Sequence, residues 1–199
     1  MSLRDCRYWI FDMDGTLTMP VHDFNDIRRQ LGIADNTPIL EAIIQMPEQK
    51  ARQTHQRLHE IEMEIAALAK PQPGAAELLE SILFRGYRLG ILTRNDEEIA
   101  VETLRASGLD DFFAHSDIVG RETCAPKPEP DGVLYLLKRW QAISRQTVMV
   151  GDYLYDIEAG KRAGVNTIHF DSSGVFPWPE FADHGVDRLA DISELIDAA

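Results

Sequence analysis

The sequence predicts an α/β fold, a doubly wound and mostly parallel sheet with a block of helices inserted after its first strand. Three observations carry that expectation. From residue 75 onward, short apolar runs alternate with amphipathic helical segments, the order of a parallel sheet covered on both faces. One further apolar run, Tyr8–Phe11, stands alone near the start. Between the two, residues 19–72 carry helical periodicity and no convincing strand. Right-handed crossovers go with this order.

Each element has its own signal. Tyr8–Phe11 reads as a short buried strand. Asp23 can cap a helix through Leu31, and Gly32 stops it. Thr37-Pro38 starts a second helix, with Pro38 in its first turn. Pro47 and Glu48 open a third and longer one. In it Leu58, Ile61, Ile65 and Leu68 recur at spacings of three, four and three, one face of a helix. Gln56, Glu60, Glu64 and Lys70 fall opposite, and Pro71-Gln72-Pro73-Gly74 ends the helix and marks a hinge. Ala75–Phe84 then reads as helix, Tyr87–Leu92 as strand, Glu97–Ala106 as helix closed by Gly108, and Asp117–Val119 as a short strand. Asp131–Trp140 is a helix, Val148–Val150 a strand, Ile157–Ala163 a helix closed by Gly164, and Thr167–Phe170 the last strand. Asp191-Ile192-Ser193-Glu194 has the spacing of a capping box opening a terminal helix.

Composition narrows the function classes. The chain has 33 acidic and 20 basic side chains, a formal net charge of -13. That disfavours a polyanion-binding groove, so no nucleic-acid partner is expected, while a small basic pocket stays possible. Cys6 and Cys124 make neither a metal cluster nor a disulfide framework and suit a reducing compartment. No run has the length of a bilayer-spanning helix, and the chain enters its first strand without a long apolar signal segment. A cytoplasmic location with no membrane partner is the expectation.

The polar groups that can carry chemistry gather at the C-terminal ends of the apolar runs, where open α/β sheets hold their ligands. The first strand runs into Asp12-Met13-Asp14-Gly15-Thr16-Leu17-Thr18. One carboxylate can attack and the second can handle a proton. Gly15 permits a tight turn and offers an amide to an anionic substrate. Leu89–Thr93 ends in a hydroxyl and continues into Arg94 and Asn95. Lys127 stands between Pro126 and Pro128. Thr147–Asp152 ends in a glycine and a carboxylate, with Asp156 four residues on. No Gly-x-Gly-x-x-Gly follows the first strand, which argues against a nicotinamide-dependent dehydrogenase.

In this set the sequence resembles the haloacid dehalogenase superfamily of phosphatases and related phosphotransferases. Its four motifs appear in order as DMDGTLT, ILT, the lysine of APKP, and GDYLYD. The resemblance implies a Rossmann-like catalytic core, residues 1–18 and 73–199, with a small helical cap over residues 19–72 that is rather short for that role. It implies Mg2+-dependent hydrolysis of a small phosphorylated metabolite through an aspartyl-phosphate intermediate, as in a phosphoglycolate phosphatase-like enzyme. Asp12 is then the nucleophile and Asp14 the general acid and base. The dehalogenase branch lacks an aspartate at this second position, so Asp14 favours phosphate esters. Asp12, the Asp14 carbonyl and Asp152 would hold the ion. Thr93 would bind a phosphoryl oxygen, and Lys127 would offset charge and orient Asp12. Asp156 either holds Lys127 or the ion's waters, or caps the following helix. Gly15, Arg94 and Asn95 are candidates for substrate contact, with Arg94 either gripping a phosphate or carboxylate or pairing with Asp96 or Glu97. In the insert, Arg28, Arg52, His55 and His59 are the polar candidates. Tyr153 and Tyr155 flank the ion loop, and Phe176–Pro179 lines the entrance or packs over the sheet edge. Two alternatives stay open: a phosphomutase of the β-phosphoglucomutase kind, and a non-catalytic regulatory protein on the same fold.

Overall fold

In the computed structural model, which describes residues 3–21 and 23–198, six strands form one wholly parallel sheet. They are β1 (Tyr8–Phe11), β2 (Arg88–Leu92), β3 (Ile118–Val119), β4 (Thr147–Gly151), β5 (Asn166–Phe170) and β6 (His184–Val186), in the order β3-β2-β1-β4-β5-β6. The chain winds outward in one direction from β1 and then in the other from β4. The strand order therefore reverses between β1 and β4, and a crevice opens at their carboxyl ends.

Alternation along the strands builds two cores. Trp9 and Phe11 enter one buried cluster, and Ile10 between them enters the other. α4 (Ala75–Phe84), α5 (Glu97–Ser107) and α8 (Leu189–Ala198) contribute to the first face, while α6 (Asp131–Trp140) and α7 (Leu154–Ala163) contribute to the second. Burying a side chain such as Leu79 or Leu136 stabilises the fold by roughly 1.5–3 kcal/mol.

The insert holds α1 (Phe24–Leu31), α2 (Ile39–Ile44) and α3 (Glu48–Ala66). Asp23 caps α1 by accepting from the amides of Asn25 and Asp26 at 3.0 Å each, and Gly32 closes it in the left-handed region. Ile27, Leu31, Ile33, Ile43, Leu58 and Ile61 form an apolar cluster of their own. Two connectors join insert to sheet side by side. The Met19 amide donates to the Lys70 carbonyl at 2.9 Å and the Gln72 amide to the Leu17 carbonyl at 2.8 Å.

The structure departs from the sequence reading in several places; α7 opens at Leu154 and not at Ile157, and Asp117 ends a short 3-10 turn before β3. A sixth strand, β6, follows the one read as last; its His-Gly-Val is too short to show alternation. α8 begins at Leu189, so Asp191–Glu194 lies inside it and is not its cap. Pro38 sits just before α2 and not in its first turn. α3 stops at Ala66, which leaves Leu68 off the apolar face and 70% exposed.

Candidate active site

The site is assembled at the reversal of strand order. The ladder between β1 and β4 runs on past its last strand pair, since the Asp12 amide donates to the Val150 carbonyl at 2.8 Å. That bond holds Asp12 at the mouth of the crevice, beside the Gly151-Asp152 end of β4. After Asp12 the chain turns sharply. Gly15 adopts φ +88°, and a Cβ there would lie 2.4 Å from Asp152 Oδ2, so glycine is required on two counts. The Gly15 amide, expected to face an anionic substrate, instead donates to the Thr18 carbonyl at 2.9 Å. Thr16 Oγ1 donates to Asp152 Oδ1 at 3.2 Å and ties the turn to the end of β4. Gly151 is the second obligatory glycine, because its Cβ would meet Asp156 Cβ at 2.2 Å.

Lys127, buried, reaches between two acids. It pairs with Asp12 and lies 2.6 Å from Asp156 Oδ1. Asp156 also accepts the Tyr153 amide on Oδ2 at 3.0 Å, so it both holds Lys127 and caps the start of α7. Asn95 Nδ2 donates to Asp14 Oδ2 at 2.7 Å, which places Asn95 on the second carboxylate of the motif. Thr93 Oγ1 accepts the Asn95 amide at 3.1 Å, leaving the hydroxyl proton to donate elsewhere.

The electrostatics follow from counting charges. Burial raises the carboxyls of Asp12, Asp14, Asp152 and Asp156, to about 6 for Asp14, about 8 for Asp152 and about 6 for Asp156. Mutual repulsion with Asp12 and Asp156 adds to the rise at Asp152. Burial alone would strip Lys127 of its proton, but the flanking Asp12 and Asp156 outweigh it and hold the ammonium charged. A single lysine cannot neutralise that many carboxylates. Asp12, Asp152 and Asp156 each bring an oxygen within 4.8 Å of the others. An all-oxygen, net-negative donor set of this kind fits a hard divalent cation.

A cavity of about 490 Å3 between sheet and insert gathers some of the remaining candidates. Asp12, Asp14, Thr93, Arg94, Asn95, Lys127, Asp152 and Asp156 line it from the sheet side. Phe24, Ile27, Ile39, Leu40 and Leu58 form an apolar wall from the insert, with Arg28 among them. Tyr153 and Tyr155 also line it and meet edge to face, 5.0 Å between centroids. Arg94 pairs with neither Asp96 nor Glu97. Its guanidinium donates to the Lys127 carbonyl at 2.7 Å and to Glu41 Oε1 at 2.8 Å, and lies 5.1 Å over Tyr155. Arg52 is exposed and pairs with Glu48. Phe176 and Trp178 pack on His169, and Phe176 also covers Gly185 of β6, so this loop closes over the sheet edge.

Sequence reasoning missed the seam between insert and sheet. Arg121, nearly buried, joins Glu62 of α3 and Asp96 at the start of α5, both at 2.9 Å. His59 Nδ1 lies 3.0 Å from Asp96 Oδ2. Arg121 follows β3 by two residues, and that position at the carboxyl end of a strand was its one sequence signal. Glu62 had none, standing among the solvated acids of α3.

Comparison with known proteins shows the family. The family described as haloacid dehalogenase-like hydrolase matches residues 21–170. An uncharacterized hydrolase of Saccharomyces cerevisiae is 30% identical over 98% of this chain and 93% of its own length. A phosphoglycolate phosphatase of Aquifex aeolicus is 26% identical over 96% of this chain and 97% of its own. A hydrolase from Pseudomonas syringae shares the fold with TM-score 0.79 and 21% identity, covering 96% of this chain and 98% of that one. With its phosphatase-type aspartate site and its helices inserted after the first strand, the chain belongs to the haloacid dehalogenase-like hydrolases.

Proposed function

We propose that this enzyme is a Mg2+-dependent phosphomonoester hydrolase acting on a small phosphorylated metabolite through an aspartyl-phosphate intermediate. The observation that carries the reading is the pair of acids on one turn. Asp12 is buried against Lys127, and Asp14, two residues on, has its carboxyl raised to about 6. The first suits a nucleophile whose charged form an ammonium group favours against the cost of burial, the second a group that gives and takes a proton near neutrality. The phosphatase of Aquifex aeolicus supports the same reaction class.

In the first step an Asp12 carboxylate oxygen attacks phosphorus. The bond to the ester oxygen breaks, and the leaving oxygen keeps its electron pair and takes the proton of Asp14. In the second, water gives a proton to Asp14 and attacks phosphorus, the bond to Asp12 breaks, and inorganic phosphate leaves with the Asp12 carboxylate restored. Lys127 and the Thr93 hydroxyl stabilise charge on the phosphoryl oxygens. Asp12, Asp152 and the Asp14 carbonyl would hold Mg2+, with Asp156 bracing Lys127 beside them. Bound there, the ion supplies positive charge between the carboxylates and the phosphate dianion. Residues 19–72 would act as a cap that excludes water from the transferring group.

The test is turnover of phosphate monoesters by the metal-stripped protein. Activity is expected to vanish in chelator and return with Mg2+. Asp12→Asn should remove turnover, and acid-quenched protein should lose covalently bound phosphate. Full activity in metal-free protein, or wild-type turnover by Asp12→Asn, would overturn the mechanism.

A further inference from the structure

The cations that line the cavity differ in one respect. Lys127 is committed to Asp12 and Asp156, Arg94 to Glu41, and Arg121 to Glu62 and Asp96. Arg28 of α1 also lines the cavity, yet among the described residues it has no carboxylate partner. Its contacts are neutral. Nε donates to the Thr37 carbonyl at 2.8 Å and Nη1 to Asn25 Oδ1 at 3.0 Å. These two bonds use two of the five guanidinium N–H groups and fix the side chain's direction. The other three are enough to grip an oxyanion through two parallel bonds. Arg28 is half-buried and lines the cavity together with Phe24, Ile27, Ile39 and Leu40, and partial removal from water strengthens a charge pair formed there.

From this charge inventory we infer that Arg28 reads a second oxyanion on the substrate, a carboxylate or a second phosphate carried by the leaving group. The inference rests on the phosphatase reading of the same cavity and adds the class of leaving group and the residue that selects it. The apolar wall suits a short carbon chain between the two anionic ends. Arg94 and Arg121 would come to this role with their charge already balanced by Glu41, or by Glu62 and Asp96. Arg28 can take it with no partner displaced. It would be a specificity-determining residue: it meets the substrate at the far end from the bond that breaks, so its removal should weaken binding of some esters more than others.

The experiment compares matched esters. 3-Phosphoglycerate and glycerol 3-phosphate differ in a carboxylate against an alcohol, and fructose 1,6-bisphosphate and fructose 6-phosphate differ in one phosphate. Wild-type protein is expected to prefer the doubly anionic member of one pair in kcat/KM, and the pair that shows it identifies the oxyanion. Arg28→Ala should lower that preference by about ten- to hundredfold, mostly through KM. Arg28→Lys should restore part of it, because the charge returns without the planar fork. Calorimetric binding of the preferred ester to Asp12→Asn protein should weaken likewise when Arg28→Ala is added. If Arg28→Ala fails to fold, Arg28→Gln takes its place in both measurements. Equal handling of both members by wild type, or a preference that Arg28 variants leave intact, overturns the inference while the phosphatase reading stands. A wild-type protein that hydrolyses no monoester, aryl phosphates included, overturns both.

Discussion

The two ends of the cavity are built by opposite rules. At the sheet end, buried charges crowd together, and each is aimed by backbone it cannot leave. Asp12 hangs on the β1–β4 ladder, Asp152 on the end of β4, and Asp156 on the first turn of α7. At the insert end the wall is apolar, helix-borne and held by a cluster of only a few buried side chains. Its charges meet the sheet through a seam of paired groups. The difference teaches a division of labour. Strand ends fix the positions that bond-breaking requires, where small displacements are costly. Helices resting on a modest core set the shape of what can enter.

The largest expected effect tests the sheet end. Asp14→Asn should lower kcat by about 10²–10⁴-fold, since under the proposed mechanism the proton donor and acceptor is gone. KM should change little. A large rise in KM with kcat intact would break the division, because it would place Asp14 in substrate recognition.

The second expectation tests the seam. Arg121→Met leaves Glu62 and Asp96 facing each other across the seam without the guanidinium that joins them. Breaking one partner out of a buried set of this kind costs about 3–5 kcal/mol. Urea unfolding is expected to show that loss. An early transition confined to α1–α3 would sharpen the comparison, marking the insert as a unit of its own. A loss below about 1 kcal/mol would show that apolar contact alone seats the insert.

The smallest effect is with pH. The hydrogen bond to Asp96, then the nearby charges of Asp96, Glu98 and Glu62, raise the His59 imidazole above 6.5 against the opposing effect of burial. Burial opposes the shift at Asp96 too, but His59, the Ile99 amide and Arg121 bring it below 3.8. A raised histidine stabilises below its unfolded value and stops doing so as pH rises through its folded value. A depressed aspartate stabilises above its unfolded value and stops as pH falls through its folded one. The seam is therefore firmest between about pH 4 and about pH 6.5. The melting temperature of wild type should fall from pH 6 to pH 8 by more than that of His59→Gln. Identical pH dependence in the two proteins would remove His59 from the seam's balance.

The same division explains what the sequence discloses. Asp12, Thr93 and Asp152 were legible because each closes or follows an apolar run, and because the motifs recur together and in order, where any one alone would be weak. Asn95 was legible as a site residue, but its partner Asp14 was not, since sequence gives no distance across 81 positions. The seam was illegible for a related reason. Glu62 looks like Glu60 and Glu64 in the sequence, and only the docking of α3 buries one and leaves the others in water. β6 was lost because a three-residue strand has no period to read. Arg94 was seen but its partner was not, because Glu41 stands 53 positions away and meets it only in the folded chain.

The two connectors, paired side by side at Leu17–Met19 and Lys70–Gln72, stand where a lever would have its pivot. Both run beside the turn that carries Asp12 and Asp14, so the pivot would stand next to the proposed reacting atoms and the load far from them. α3 is 19 residues long, about 28 Å at 1.5 Å per residue. A tilt of ~10° about the connectors sweeps the far end of that helix through ~5 Å, while atoms one turn from the pivot move by ~1 Å. Under the proposed reaction, leaving groups of different length would thus be admitted at the rim with the turn at Asp12–Gly15 almost unmoved.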